Sequence, residues 1–194
     1  MSQSLAEQCQ TAFFEIVQRH ENAEPLKEAS LEARLGDWTE ALTKVVVATC
    51  EFLGWKVSAR GHLLELLPVP RSEYLGLDVV AFSEGDRRWH FPVTVVELEN
   101  SMNDDRIAYS LWKILCVNAK LCIVFCYRRS SLEGSRLIQF LRDDVVCGMG
   151  VGDRMTLGGE ILVVVGSRDD AATFPYGFFK WWELESNTGT FRLI

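Results

Sequence analysis

The spacing of apolar residues divides the chain into helices and strands in a definite order. In the first half, apolar side chains recur at helical spacing and then give way to three short runs rich in β-branched residues. Helices are predicted at residues 5–21, 25–34 and 37–54, and strands at residues 55–67, 75–82 and 91–99. The turn residues 83–86 between the last two strands predict that these strands pair as a hairpin.

The second half alternates helices with strongly apolar strands. Residues 119–127 are almost wholly apolar, which predicts a strand buried on both faces and parallel to a neighbour. Around it, helices are predicted at residues 104–115 and 132–143, a strand at 160–165 and a hairpin at 177–194. A helix, an antiparallel meander and a crossover helix into a buried strand indicate an α/β fold, with a mixed sheet and helices on its faces.

Several local signals refine these boundaries. Gly36 is expected to close the second helix, and Asp37, with Glu40 three residues later, is expected to cap the third. Gly54 fits the glycine position that follows a helix. The GxGxG run at residues 148–152 is expected to be a loop.

The strand at residues 91–99 carries two acids on one face. Because side chains alternate along a strand, Glu97 and Glu99 point to one side while Val96 and Leu98 point to the other. Two carboxylates so close repel each other unless a cation, a base or a proton lies between them. The alternative is an edge strand with a solvated acidic face, but the apolar run at 91–96 favours a central strand.

Acids on two neighbouring strands and a lysine on the next helix form a recognisable set. Asp78 lies within Gly76-Leu77-Asp78-Val79-Val80, Glu97-Leu98-Glu99-Asn100 follows on the next strand, and Lys113 follows on a helix. Over residues 37–128 this pattern resembles the restriction-endonuclease-like, or PD-(D/E)xK, nuclease superfamily, in a variant with an ELEN motif. The resemblance implies an αβββαβ core flanked by helices. The length of 194 residues predicts a single domain. In it, residues 1–36 form a helical extension, residues 37–128 the core, and residues 129–194 a helix and a β-rich extension.

The resemblance further implies a phosphodiesterase that depends on Mg²⁺ or Mn²⁺. Asp78 and Glu97 would hold the metal ion, which activates water and neutralises charge on the phosphate. Glu99 stands where the usual pattern has a lysine, so it would act as a base or a further ligand. Lys113 would then take the role of that lysine, and Glu40 or Glu51 on the preceding helix would supply another metal contact.

Other interpretations of these residues stay open. Asp78 can be a strand-end acid paired with an arginine, Glu99 a solvated acid and Lys113 a surface lysine of its helix. A non-catalytic interaction or regulatory protein with the same fold is therefore the alternative function. The aromatic run at 174–182 is interpreted as part of the core and of a hairpin. The second interpretation is a surface that contacts a partner.

Charge and cysteine content limit the partners and the compartment. The net charge of −7 argues against binding of nucleic acid through a broad basic face. It is compatible with binding through a local track of basic residues. That track would comprise Arg71, Arg87, Arg88, Lys113, Arg128 and Arg129.

The six cysteines include no CxxC pair, which predicts reduced thiols and a cytoplasmic protein. No apolar run reaches the roughly 18 residues of a membrane span, and no signal-peptide pattern opens the chain. A homodimer is plausible from the resemblance.

Overall fold

Seven strands form one sheet in which the order of the strands follows the order of the chain. The computed structural model describes residues 3–194. The strands are β1 (Lys56–Ala59), β2 (Val79–Phe82), β3 (Pro92–Glu99), β4 (Leu121–Arg128), β5 (Glu160–Ser167), β6 (Phe179–Glu185) and β7 (Thr190–Leu193). The helices are α1 (Leu5–Val17), α2 (His20–Leu31), α3 (Leu35–Phe52), α4 (Asp104–Leu115), α5 (Ser131–Leu141) and α6 (Val151–Met155).

The sheet is mixed, with its parallel part in the middle. Strands β1, β2 and β3 pair antiparallel, β3, β4 and β5 pair parallel, and β5, β6 and β7 pair antiparallel again. The predicted αβββαβ order is confirmed by α3, the meander β1–β3, the crossover helix α4 and strand β4. The strands at the C-terminal end of the chain, β5 to β7, join the same sheet.

Two hydrophobic cores lie on the two faces of this sheet. One core contains the buried faces of α1 and α3, with Val96 and Leu98 of β3. The other contains the buried faces of α4 and α5, with Val95 of β3. All eight residues of β4 are buried, which confirms that this strand is covered on both sides. It follows from the alternation along β3 that Glu97 and Glu99 lie on the face that α4 covers.

Several predicted helix boundaries are wrong. Helix α2 begins at His20 and contains Pro25, because burial of Leu26 and Ala29 in the core stabilises the turns around the proline. Helix α3 begins at Leu35, so Gly36 lies inside it, and Asp37 pairs with Arg34 instead of capping the helix.

Two strand predictions and one loop prediction also change. Residues 63–67 make only the single bridge Leu64–Arg71, and β2 starts at Val79 after a 3₁₀ turn at Tyr74–Gly76. The predicted loop at 148–152 is confirmed for residues 148–150, whereas residues 151 and 152 begin the short helix α6. The predicted hairpin is confirmed by the antiparallel pairing of β6 with β7. The aromatic run at 174–182 belongs largely to the core, since Phe178, Phe179 and Trp181 are buried.

All six cysteines are free thiols. Within residues 3–194, no helix combines the length and the apolar character that crossing a bilayer requires.

The end of α3 provides a test of backbone strain. Gly54 follows the helix with a φ of +79°, and no atom would contact an added methyl group there. We expect Gly54→Ala to lower the free energy of unfolding by about 1–2 kcal/mol, because an L-residue is strained in that conformation. The matched control is Gly36→Ala inside α3, which is equally open and is expected to be neutral or stabilising. Equal effects of the two substitutions in urea denaturation would contradict this account.

Candidate functional site

Asp78 and Glu97 lie opposite each other at the junction of two strands. Val79 pairs with Val96 in the antiparallel register of β2 and β3, so the residue before β2, Asp78, falls opposite Glu97. Residues directly opposite in such a pair share a face of the sheet. Asp78 therefore lies just before the strand on which the sequence placed it. Its Oδ2 accepts a hydrogen bond of 2.7 Å from the backbone N–H of Leu98.

Lys113 of α4 lies beside these two acids and contacts one of them directly. Its Nζ lies 2.8 Å from Oε2 of Glu97 and donates a 2.9 Å hydrogen bond to the carbonyl of Gly76. The apolar stripe of α4, which includes Ile107 and Leu111, packs on the sheet and leaves Lys113 at its edge. Three segments far apart in sequence thus bring two carboxylates and one ammonium group together.

Burial controls the charge state of this cluster. Glu97 is only 5% exposed, and its Oε1 is buried with no hydrogen-bond partner. Burial raises the pKa of Glu97 above its ordinary value; the hydrogen bond from Lys113 opposes this rise and the charge of Asp78 adds to it. Burial also raises the pKa of Asp78, against the lowering effects of the Leu98 N–H and of Lys113.

Glu99 lies on the same face of β3, two residues beyond Glu97, and is half-buried. Its Oε1 accepts a 2.8 Å hydrogen bond from the backbone N–H of Ser101, which holds the carboxylate against the turn after β3. Asp78, Glu97 and Glu99 therefore each accept a hydrogen bond from a group of the protein itself.

The structure does not bring Glu40 to this cluster. Helix α3 covers the opposite face of the sheet, and Glu40 is exposed there and pairs with Lys44 at 2.8 Å. Glu51, the other acid considered on this helix, lies 3.5 Å from His62. The separation arises because the side chains of α3 meet Val96 and Leu98 of β3, whereas Glu97 points away from them.

Arg128 is a structural residue that the sequence wrongly placed on an exposed basic track. It is only 4% exposed. Its guanidinium donates to the carbonyl of Ser101 at 3.1 Å and pairs with Asp104. It thereby fixes the turn between β3 and α4, and with it the helix that carries Lys113. An arginine at the end of an otherwise apolar strand is the signal that could have indicated this role.

Two asparagines at the same turn have structural roles. Asn100 donates through its side chain to the Leu35 carbonyl and to Thr39 Oγ1, at 3.0 and 2.7 Å, and so ties the end of β3 to the start of α3. Asn103 caps α4 by accepting from the N–H of Asp105. Both residue types are common in turns and caps, so their sequence signal was general.

The acidic pair fits a sparsely ligated metal ion. In the part of the chain that the structure describes, no three histidine, cysteine or acidic side chains are grouped so that they could hold a metal ion. Asp78 and Glu97 remain as a pair, in which Oε1 of Glu97 is buried and has no hydrogen-bond partner. Because Mg²⁺ keeps several waters and usually takes one or two protein carboxylates, a pair of acids agrees in number with such an ion.

Comparison with known proteins gives one structural similarity. No family model matches the chain, and no curated protein matches it. A solved structure of NucC from E. coli MS115-1, in its cAAA-bound form, superposes with a TM-score of 0.45 at 11% identity, covering 100% of this chain and 84% of that chain. An overlap of this extent transfers no activity, ligand or assembly to this chain.

The ion pair between Lys113 and Glu97 is open to a direct test. We expect Lys113→Met to lower the free energy of unfolding at pH 7 by about 3 kcal/mol, because it leaves a buried carboxylate without its partner. Lys120→Met, at an exposed position near the start of β4, is the control and should change little. Urea denaturation measures both, and equal stability of the two variants would show that the pair contributes nothing.

The raised pKa of Glu97 predicts how stability depends on pH. The folded protein holds this proton more tightly than the unfolded chain, so the contribution of Glu97 to stability falls as pH rises from its ordinary pKa of 4.5 through the raised value. We therefore expect the stability of wild type relative to Glu97→Gln to decline across this window. Denaturation of both proteins at intervals from about pH 4 to pH 8 tests this. A stability difference that is independent of pH would rule it out.

Proposed function

We propose that the protein is a phosphodiesterase that depends on Mg²⁺ or Mn²⁺ and cleaves nucleic acid. The observation that carries the proposal is the convergence of Asp78, Glu97 and Lys113, which come from the segment before β2, from β3 and from α4. The resemblance of these residues to the PD-(D/E)xK pattern, with the lysine moved to the following helix, agrees with it.

Each residue of the cluster has a chemical part in this proposal. Asp78 and Glu97 would hold the ion, which when bound supplies charge neutralisation at the phosphate and an activated water. The Lys113 ammonium would stabilise negative charge that develops on the phosphate. Glu99, half-buried two residues along the same face, would accept a proton from the water. Glu40 has no part, because its helix covers the other face of the sheet.

Nucleic acid as the substrate follows from the resemblance. Arg87 and Arg88 of the predicted basic track are exposed in the connection between β2 and β3, at the end of those strands away from Asp78 and Glu97. They therefore have no part in this proposal, and neither does the buried Arg128. A cytoplasmic location, a single domain over residues 1–194 and a homodimer are part of the same proposal.

One observation favours a second function. The carboxylates of Asp78, Glu97 and Glu99 all accept from groups of the protein itself. A closed charge cluster of this kind also suits a non-catalytic interaction or regulatory protein, in which the acids and the lysine only stabilise the fold. In that case the protein binds no divalent ion at Asp78 and Glu97.

A cleavage assay separates the two functions. Labelled single- and double-stranded substrates are incubated with Mg²⁺ or Mn²⁺ and with wild type, Asp78→Asn or Glu97→Gln. We expect each substitution to reduce cleavage by about a hundredfold or more, because it removes a charged ligand from the reacting phosphate. The matched control is Glu84→Gln, an exposed acid in the turn at the far end of β2, which should cleave like wild type.

Calorimetric titration with Mn²⁺ gives a readout that does not depend on turnover. Wild type is expected to bind the ion and Glu97→Gln to bind it weakly. Equal cleavage by wild type and both site variants would place the activity elsewhere. No cleavage together with no metal binding would support the non-catalytic function.

A further inference from the structure

The outer surface of α4 carries an unusual pair of aromatic rings. Tyr109 and Trp112 are 60% and 55% exposed. Their rings stack with centroids 5.9 Å apart and planes inclined by 25°. Aromatic side chains with this much surface in water are normally buried in a core or against a partner. The two residues are three positions apart on α4, so their side chains are neighbours on the helix surface.

The position of this pair connects it to the acidic cluster. Lys113 is four residues from Tyr109 on α4, so the two side chains are neighbours on the helix surface. The ammonium of Lys113 contacts Glu97. The aromatic pair is therefore adjacent to the residue that connects α4 with the acidic cluster.

Cationic groups border the aromatic pair. Arg106 is exposed three residues before Tyr109, and the ion pairs found within residues 3–194 do not include it. Lys113 lies on the same stripe of the helix as Arg106, seven residues later, but its ammonium is paired with Glu97. The exposed Asp105 lies four residues before Tyr109 and borders the pair at the start of the helix. Two exposed rings beside an exposed guanidinium are the elements of sites that stack bases and hold a phosphate.

We propose that Tyr109 and Trp112 form a stacking platform for the unpaired bases of a single-stranded nucleic acid. Arg106 contacts a phosphate of the strand. The proposal rests on the function proposed above, and it specifies the substrate as single-stranded, because in a duplex the faces of the bases are already stacked on one another. Recognition by stacking is tolerant of sequence, since every base has a π-face.

The platform is tested by binding in the absence of metal, so that its outcome is independent of cleavage. A fluorescein-labelled single-stranded oligonucleotide is titrated with protein in EDTA, and anisotropy gives the dissociation constant. We expect Trp112→Ala and Tyr109→Ala each to weaken binding by about tenfold, because each removes a stacking surface for a base. Trp112→Phe and Tyr109→Phe keep an aromatic ring and are expected to retain most of the affinity.

The matched control is Trp89→Ala. Trp89 is equally exposed, at 56%, but it precedes β3 and lies at the far end of that strand from Glu97. It is expected to leave binding unchanged. A duplex of the same sequence is expected to bind more weakly than the single strand. Thermal melts of all variants are the control for an intact fold, and their melting temperatures are expected to equal that of wild type.

The outcomes distinguish this proposal from the cleavage function. Binding of single strands that depends on Tyr109 and Trp112 upholds the platform even if no cleavage is observed. Wild-type affinity in both alanine variants overturns the platform even if Asp78 and Glu97 prove catalytic. A concentration-dependent dimer of wild type that Trp112→Ala abolishes, with no binding of oligonucleotide, would also overturn it and would assign the rings to contact between two copies of the chain.

Discussion

The fold depends on three parallel strands that must be covered on both faces. Strands β3, β4 and β5 have almost entirely buried side chains, as expected for parallel strands that are covered on both faces. Helices α1 and α3 cover one face, and α4 and α5 cover the other. This constraint decides where every residue of β3 lies. It places a carboxylate, Glu97, in a layer that is otherwise made of apolar side chains.

A buried carboxylate is costly unless a cation accompanies it. Glu97 meets this requirement through Lys113, and the raised pKa of the carboxyl group shows that burial outweighs the compensation. A buried ion pair of this kind adds little net stability compared with a well-packed apolar pair.

The carboxyl end of β3 determines whether the cluster holds its geometry. Arg128 ties the following turn to the start of α4, and Asn100 ties it to the start of α3. The turn is therefore connected to helices on both faces of the sheet. Because α4 carries both Lys113 and the aromatic pair Tyr109–Trp112, the orientation of this one helix sets the distance between the acids and the surface proposed to bind bases.

The periodicity of the sequence by itself determined the α/β class, the meander, the crossover helix and the parallel placement of β4, because these follow from alternation and from continuous apolar runs. The resemblance of the motifs, rather than the periodicity, singled out Asp78, Glu97 and Lys113, together with Glu99 and Glu40. Only the tertiary structure decided which face of the sheet each helix covers. That choice separated Glu40 from the acids and made Arg128 a buried structural residue, and no local pattern encodes it. It likewise decided that Pro25 lies inside α2, where burial of the neighbouring side chains outweighs the intrinsic preference of proline to end a helix.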